Sequence, residues 1–220
     1  MESSLLLSLK TLLAPYTAPW WVAGGWAVDA QVGRVTRQHD DADVLVLQRD
    51  LHLVAATFPD VYAEVPGTGE RLAWDGVTML DPGPQALGLK VDLSDGISKV
   101  QLLIALTDGD EWVYHRGRRN IRRSLGSIGR TTVDGVPYLT PEIVLLFKSR
   151  GLREKDTADF IVLEPLLSYD ERHWLRERIR GWRPEPRAQQ GGGWPLGARQ
   201  RPAGTPDSHR GGAGMLPIGG

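Results

Sequence analysis

Residues 20–47 read WWVAGGWAVDAQVGRVTRQHDDADVLVL. The apolar run Trp20 to Ala23 predicts a short strand ending at Gly24-Gly25, and Trp26 to Val32 suits a helix with Gly33 as its stop. A polar loop, Arg34 to Asp40, leads into a second strand, Asp41 to Leu47. Its unbroken Val44-Leu45-Val46-Leu47 is what a strand covered on both faces requires. Glycines between a strand and a helix let backbone N–H groups approach a phosphate at the positive end of the helix dipole. Asp41 and Asp43 are two apart on the strand, so both carboxylates project from one face while Asp40 and Ala42 point the other way. Carboxylates so placed repel each other unless a cation lies between them. Hard oxygen ligands of this kind suit magnesium, with manganese as an alternative, held jointly with substrate phosphates.

Outward from this segment, residues 3–14 suit a helix before the first strand, and Asp50 to Phe58 suits one after the second. Residues 60–135 carry short β-type runs such as Lys99 to Leu106 and Glu111 to His115, with turn signals at Asp81-Pro82-Gly83 and Asp108-Gly109. Thr140-Pro141-Glu142 has the form of an N-cap with proline at the first helical position, opening an apolar helix toward Arg150. Two more helices, about 154–168 and 170–181, complete an α+β body over residues 1–182. From Pro184 onward, ten glycines and six prolines leave no periodic apolar face, so residues 183–220 are expected to form a disordered tail.

With 220 residues the chain is long enough to bury a core without staples, and the absence of cysteine removes disulfides, thiol nucleophiles and cysteine-based zinc sites. The net charge of −1 gives no overall drive toward nucleic acid or anionic membrane. The tail holds five arginines against Glu185 and Asp207, a net of +3 that leaves −4 for the body. The apolar start, MESSLLLSLKTLLAPY, contains Glu2 and Lys10 and lacks a signal-peptide frame, and no run approaches the roughly 20 apolar residues that span a bilayer. A cytoplasmic protein with no membrane partner is expected.

Gly-Gly, a short helix and Asp-any-Asp on the next strand resemble the signature of the DNA polymerase β-type nucleotidyltransferase superfamily. More narrowly, GGWAVD (24–29), GRVTRQHDDADV (33–44) and YLTPEIVLLFKSRGLREKDTADF (138–160) resemble the aminoglycoside and lincosamide nucleotidyltransferase group and toxin-type nucleotidyltransferases, over roughly residues 5–180. The resemblance implies a nucleotidyltransferase fold, a small mixed β-sheet flanked by helices with further helices at the C-terminal end. It implies that Gly24 and Gly25 contact a triphosphate, ATP being the expected one, and that Asp41 and Asp43 are catalytic and hold one or two magnesium ions. The implied reaction moves a nucleoside monophosphate to a hydroxyl of an aminoglycoside-like or lincosamide-like small molecule. It further implies that Lys148 reaches the phosphates and that Lys155, Asp156 or Asp159 organise the site.

In the superfamily a third carboxylate comes from a later strand, and here the best candidate strand, Lys99 to Ile104, has Gln101 at that place. A carboxamide is neither a full-strength metal ligand nor a general base. Asp92 and Asp95 are the alternative acids, and a catalytically degenerate nucleotide-binding protein is the alternative reading. His39 is either a proton carrier or a loop residue that positions the strand. A structural ion pair is expected for Arg34, while Arg37 is open to Asp41 or to a phosphate and is counted among the nucleotide-binding residues. The cluster Arg116, Arg118, Arg119, Arg122, Arg123 and Arg130 suits RNA, as a transferase acting on tRNA would need. A solvated loop is the preferred expectation, because no aromatics are interleaved as stacking platforms. Trp20, Trp21, Trp26, Trp74 and Trp112 are expected in the core, with Trp112 the one to check near a site.

Overall fold

The computed structural model describes residues 4–64, 70–76, 87–93, 96–116, 119–149 and 153–179. The expected tail, the turn at 81–83, Asp95 and Arg118 lie outside them. Helix α1 (Ser4–Leu13) buries Leu5, Leu6, Leu9 and Leu13 along one face and leads to strand β1 (Trp20–Val22). Helix α2 (Gly24–Val32) closes on Gly33, whose left-handed backbone (φ 78°) lets its N–H reach the Asp29 carbonyl. It opens at the double glycine itself, two residues earlier than expected, because Gly24 adopts φ 60° and Ala23 is extended.

Strand β2 (Ala42–Leu47) is followed by α3 (Leu51–Thr57), β3 (Tyr62–Glu64), β4 (Arg71–Ala73), β5 (Leu87–Lys90) and β6 (Lys99–Asp108). Then come β7 (Glu111–Arg116), β8 (Arg119–Ser124), β9 (Gly129–Thr131) and β10 (Pro137–Leu139). Among the described residues the sheet runs β4-β3-β5-β6-β2-β1-β10-β9, with β7 and β8 added to the far end of β6. It is mixed: β2 runs parallel to β6 and β1 parallel to β10, and the other pairings are antiparallel. Ten strands make it larger than the small sheet expected, since short strands of three residues carry too few side chains to show a period. Strand β2 lies centrally, with Ala42 and Val44 to Leu47 buried.

Helices α4 (Pro141–Lys148), α5 (Glu154–Leu163) and α6 (Tyr169–Arg178) follow. Helix α5 ends sooner than expected, in a tighter turn at Glu164–Leu166, because Pro165 has no N–H for the α-helical ladder. Helix α6 opens on a capping box: the Ser168 hydroxyl accepts from the Glu171 N–H, and the Glu171 carboxylate accepts from the Ser168 N–H.

The arginine-rich stretch forms the β7–β8 hairpin, where a loop was expected. Arg122 pairs with Asp108 (2.8 Å) and Glu111 (3.0 Å), and Arg123 pairs with the buried Glu142 of α4 while stacking on Trp174 of α6. Arg130 bonds to Gln31 (2.7 Å) and to Glu171. These cations are matched by acids of the fold itself. Trp112 is core, 5.6 Å from the Tyr114 ring and stacked on it. Among the described residues no helix is long and apolar enough to cross a membrane.

Candidate nucleotide and metal site

Strand β2 begins at Ala42, so Asp41 stands at its entrance and Asp43 on its first turn of pleat. Both places are fixed by the preceding unit, one by its backbone and one by a side chain: the Ala23 N–H donates to the Asp43 carbonyl (2.8 Å), and the Trp26 indole N–H donates to the Asp41 carbonyl (3.1 Å). The Asp43 carboxylate lies directly against Gly24, where a Cβ would fall 2.0 Å from Oδ2. Glycine is therefore required twice here, for its positive φ and for the absence of a side chain. The consequence is a carboxylate at the N-terminal end of α2, where among the described residues no side chain caps the first N–H groups. Burial and, second, the charge of Asp41 push the Asp43 carboxyl from 3.8 up to about 6, against the pull of Lys148, Lys155 and Arg153.

Gly25 serves a different contact. A Cβ there would meet His39 Nδ1 at 2.3 Å and Arg37 Nη2 at 2.7 Å, so the loop after α2 folds back across the helix N-terminus. That loop is pinned by Asp29, whose Oδ1 accepts from the Thr36 N–H (2.9 Å) and hydroxyl (2.5 Å) and whose Oδ2 lies 2.6 Å from His39 Nε2. A carboxylate has only acceptors to offer, so Nε2 carries the proton in this pair. The His39 ring also packs on Trp26, with centroids 4.4 Å apart. His39 is thus held on two sides, by Asp29 and by Trp26 of α2.

Arg37 forms a two-pronged pair with Asp159 of α5, Nε to Oδ1 and Nη2 to Oδ2, each 3.0 Å. Burial opposes the Arg37 charge, but the hydrogen bonds and charge of Asp159, with Asp29 and Asp156, outweigh it and hold the guanidinium above its ordinary range. Lys148, buried at the end of α4, places Nζ 2.7 Å from Asp159 and 3.6 Å from Asp156. Asp156 in turn accepts from Arg153 (2.8 Å). Burial alone would raise the Asp156 carboxyl; Arg153 and Lys148 overcome it and hold the group below its usual range. An alternating chain thus runs Arg37, Asp159, Lys148, Asp156, Arg153 behind the Asp43 carboxylate.

On the other side of β2, the parallel register sets Gln101 of β6 directly beside Asp43, and Gln101 is buried. Asp92 does not replace it. It is exposed, two residues past the end of β5 and one strand beyond β6. Among the described residues no group of three or more His, Asp and Glu side chains gathers as a self-sufficient metal site. Two carboxylates on one face, one of them raised by burial and then by the other's charge, fit one divalent cation that takes its remaining ligands from phosphate oxygens.

Residues 5–71 match the family model described as aminoglycoside-2''-adenylyltransferase. Over 26 residues, 12% of the chain, the sequence is 65% identical to 2''-aminoglycoside nucleotidyltransferases of Escherichia coli and Klebsiella pneumoniae. That match spans only 15% of the length of those curated relatives. The solved structure of ANT(2'')-Ia in complex with adenylyl-2''-tobramycin superposes with TM-score 0.53 at 16% identity, covering 81% of this chain and 98% of that one. The lincosamide antibiotic adenylyltransferase LnuA, lincomycin-bound, gives TM-score 0.53 at 20% identity over 76% and 99%.

This is a nucleotidyltransferase fold. It resembles that of the aminoglycoside and lincosamide enzymes. Within it the structure gathers Gly24, Gly25, Arg37, Asp41, Asp43, Lys148, Lys155 and Asp156 around one end of β2, by contact or by charge acting on Asp43. Arg37 is paired with Asp159 rather than with Asp41, because the α5 carboxylate offers both oxygens to the guanidinium fork. Arg34 is exposed and makes no ion pair with the described residues, contrary to the pairing expected of it. The sequence reading missed Asp29, ten residues before its partner His39, and Arg153. The capping position of Arg153 ahead of Asp156 was the available signal for the second.

Proposed function

We propose that this chain is a divalent-metal-dependent nucleotidyltransferase that moves a nucleoside monophosphate from a nucleoside triphosphate, ATP first among them, to an oxygen of a small molecule. Residues 1–182 form the transferase unit and 183–220 an appended tail, and the cytoplasm is its expected place. The observation that carries the reading is the Asp41 and Asp43 pair at the entrance of β2, with Asp43 set against Gly24 at the N-terminal end of α2. The α2 N–H groups, with Gly25 leaving room for Arg37 and His39 beside them, bind and orient the triphosphate. Lys148 and Lys155 add positive charge on the Asp43 side, and Asp156 and Asp159 keep Lys148 in place. Asp41 and Asp43 would hold magnesium or manganese, which when bound would supply charge neutralisation around the triphosphate. Two solved neighbours contain tobramycin and lincomycin chemistry, which supports a small-molecule acceptor and makes aminoglycoside-like and lincosamide-like compounds the first to try.

The matched arginines of the β7–β8 hairpin weaken the alternative of a toxin-type enzyme acting on tRNA or protein. A second reading keeps a specific observation behind it: with Gln101 beside Asp43, the chain binds nucleotide without transferring it. The two are separated by incubating the protein with each triphosphate, magnesium and a small-molecule panel, and measuring pyrophosphate and the mass of the acceptor. Transfer predicts stoichiometric pyrophosphate and an acceptor heavier by one nucleoside monophosphate, both lost in Asp41→Asn. Release of inorganic phosphate with no pyrophosphate would contradict it.

A further inference from the structure

The charges that bear on the Asp43 carboxylate are Asp41 on one side and Lys148, Lys155 and Arg153 on the other. With Arg37, Asp156 and Asp159 added, four carboxylates meet four cations and the charges balance. A triphosphate brings more negative charge than one divalent cation neutralises, so its binding depends on which of these cations are free to meet it. Arg37 gives both prongs to Asp159. Lys148 is buried with Nζ between Asp159 (2.7 Å) and Asp156 (3.6 Å), so its charge is matched within the fold. Lys155 is half-buried and makes no ion pair with the described residues.

Arg153 stands at the outer end of the chain of charges, at the N-cap of α5, a helix that packs on α2 and α4. Asp156 accepts from its backbone N–H (3.2 Å), from Nε (2.8 Å) and from Nη2 (3.3 Å). The side chain is thereby closed into a ring over the first turn of its own helix, yet it remains 63% exposed. Only one edge of the guanidinium is used. Nη1 makes no hydrogen bond among the described residues. The bond to Asp156, opposed by burial and helped by the charges of Asp156, Asp43 and Asp41, holds the guanidinium above its ordinary range. A side chain tethered in this way has already lost much of the freedom that binding would take from it. A guanidinium carries donors on more than one edge, so the free edge can meet a phosphate oxygen while the other stays on Asp156.

Building on the transferase reading above, we infer that Arg153 is a phosphate-binding residue for the part of the triphosphate that leaves as pyrophosphate. Asp156 keeps the Nε edge, and the free edge donates to the β- or γ-phosphate. Lys155, two residues on, adds a second cation. Arg153 then takes up part of the negative charge that gathers on pyrophosphate as it departs.

The test is calorimetric titration of α,β-methylene ATP with magnesium into the full chain, as wild type, Arg153→Ala and Arg153→Lys, followed by displacement with pyrophosphate and with AMP. In Arg153→Ala the expected result is a loss of about tenfold or more in affinity for the triphosphate and for pyrophosphate, with AMP affinity unchanged. Arg153→Lys restores a cation and should recover part of that loss. The pair with Asp156 is open to water on the arginine side, so the urea midpoint of either variant should move little. Unchanged triphosphate and pyrophosphate affinity in Arg153→Ala overturns the inference. So does an equal loss for AMP, or a loss that lysine does not recover at all, as a purely structural cap on α5 would give. Wild type that binds no triphosphate with magnesium would instead remove the parent reading.

Discussion

Asp159→Ala is expected to lower the stability of the chain by about 3 kcal/mol, read as a fall in the urea midpoint at unchanged slope. Asp159 is the shared anion of two cations from distant parts of the chain, the Arg37 guanidinium and the buried Lys148 ammonium. Its side chain is 2% exposed and that of Lys148 8%, so water cannot replace the lost partner. Removing one member of a buried pair costs roughly 3–5 kcal/mol, and the low end applies because Lys148 retains Asp156 at 3.6 Å. Asp159→Asn should lose less, since one oxygen still accepts from Arg37. A change below about 0.5 kcal/mol in the alanine variant, typical of an exposed pair, would contradict the buried network described here.

Asp43→Asn is expected to make the metal-free protein more stable at pH 8, by about 1–2 kcal/mol, with the gain gone by pH 4. The sign follows from the direction of the shift. A carboxyl whose folded value is about 6 rather than 3.8 holds its proton more tightly when folded. Folding then carries a penalty that is full above about 6 and fades as pH falls toward the ordinary value. The full shift corresponds to roughly 3 kcal/mol, reduced here because the group is partly open to solvent. Asparagine keeps the shape without the charge. Magnesium should reverse the order by stabilising the wild type alone. A variant less stable than wild type at pH 8 without metal would show that the Asp43 charge is satisfied by the fold.

The β1–α2–β2 unit was legible because its determinants are local: a glycine turn, a left-handed Gly33 stop and the two-residue parity of Asp41 and Asp43 all act within 28 residues. The place of Gln101 was legible from the superfamily pattern, and the parallel register with Asp43 agrees with it. The partner of Arg37 was not, because Asp159 is 122 residues away and bonds by tertiary packing alone. Strand β7 was legible as the run Glu111 to His115, but β8 was hidden because Arg122 and Arg123 take their support from acids on other elements, so that strand shows no apolar alternation.

The central claim is that Asp41 and Asp43, beside Gly24, form a metal-linked triphosphate site. Calorimetric titration of each nucleoside triphosphate, with and without magnesium, into wild type and Asp43→Asn tests it most directly. The expected result is binding that requires magnesium in the wild type and is lost in the variant. Triphosphate binding that ignores magnesium, or that survives intact in Asp43→Asn, would contradict it.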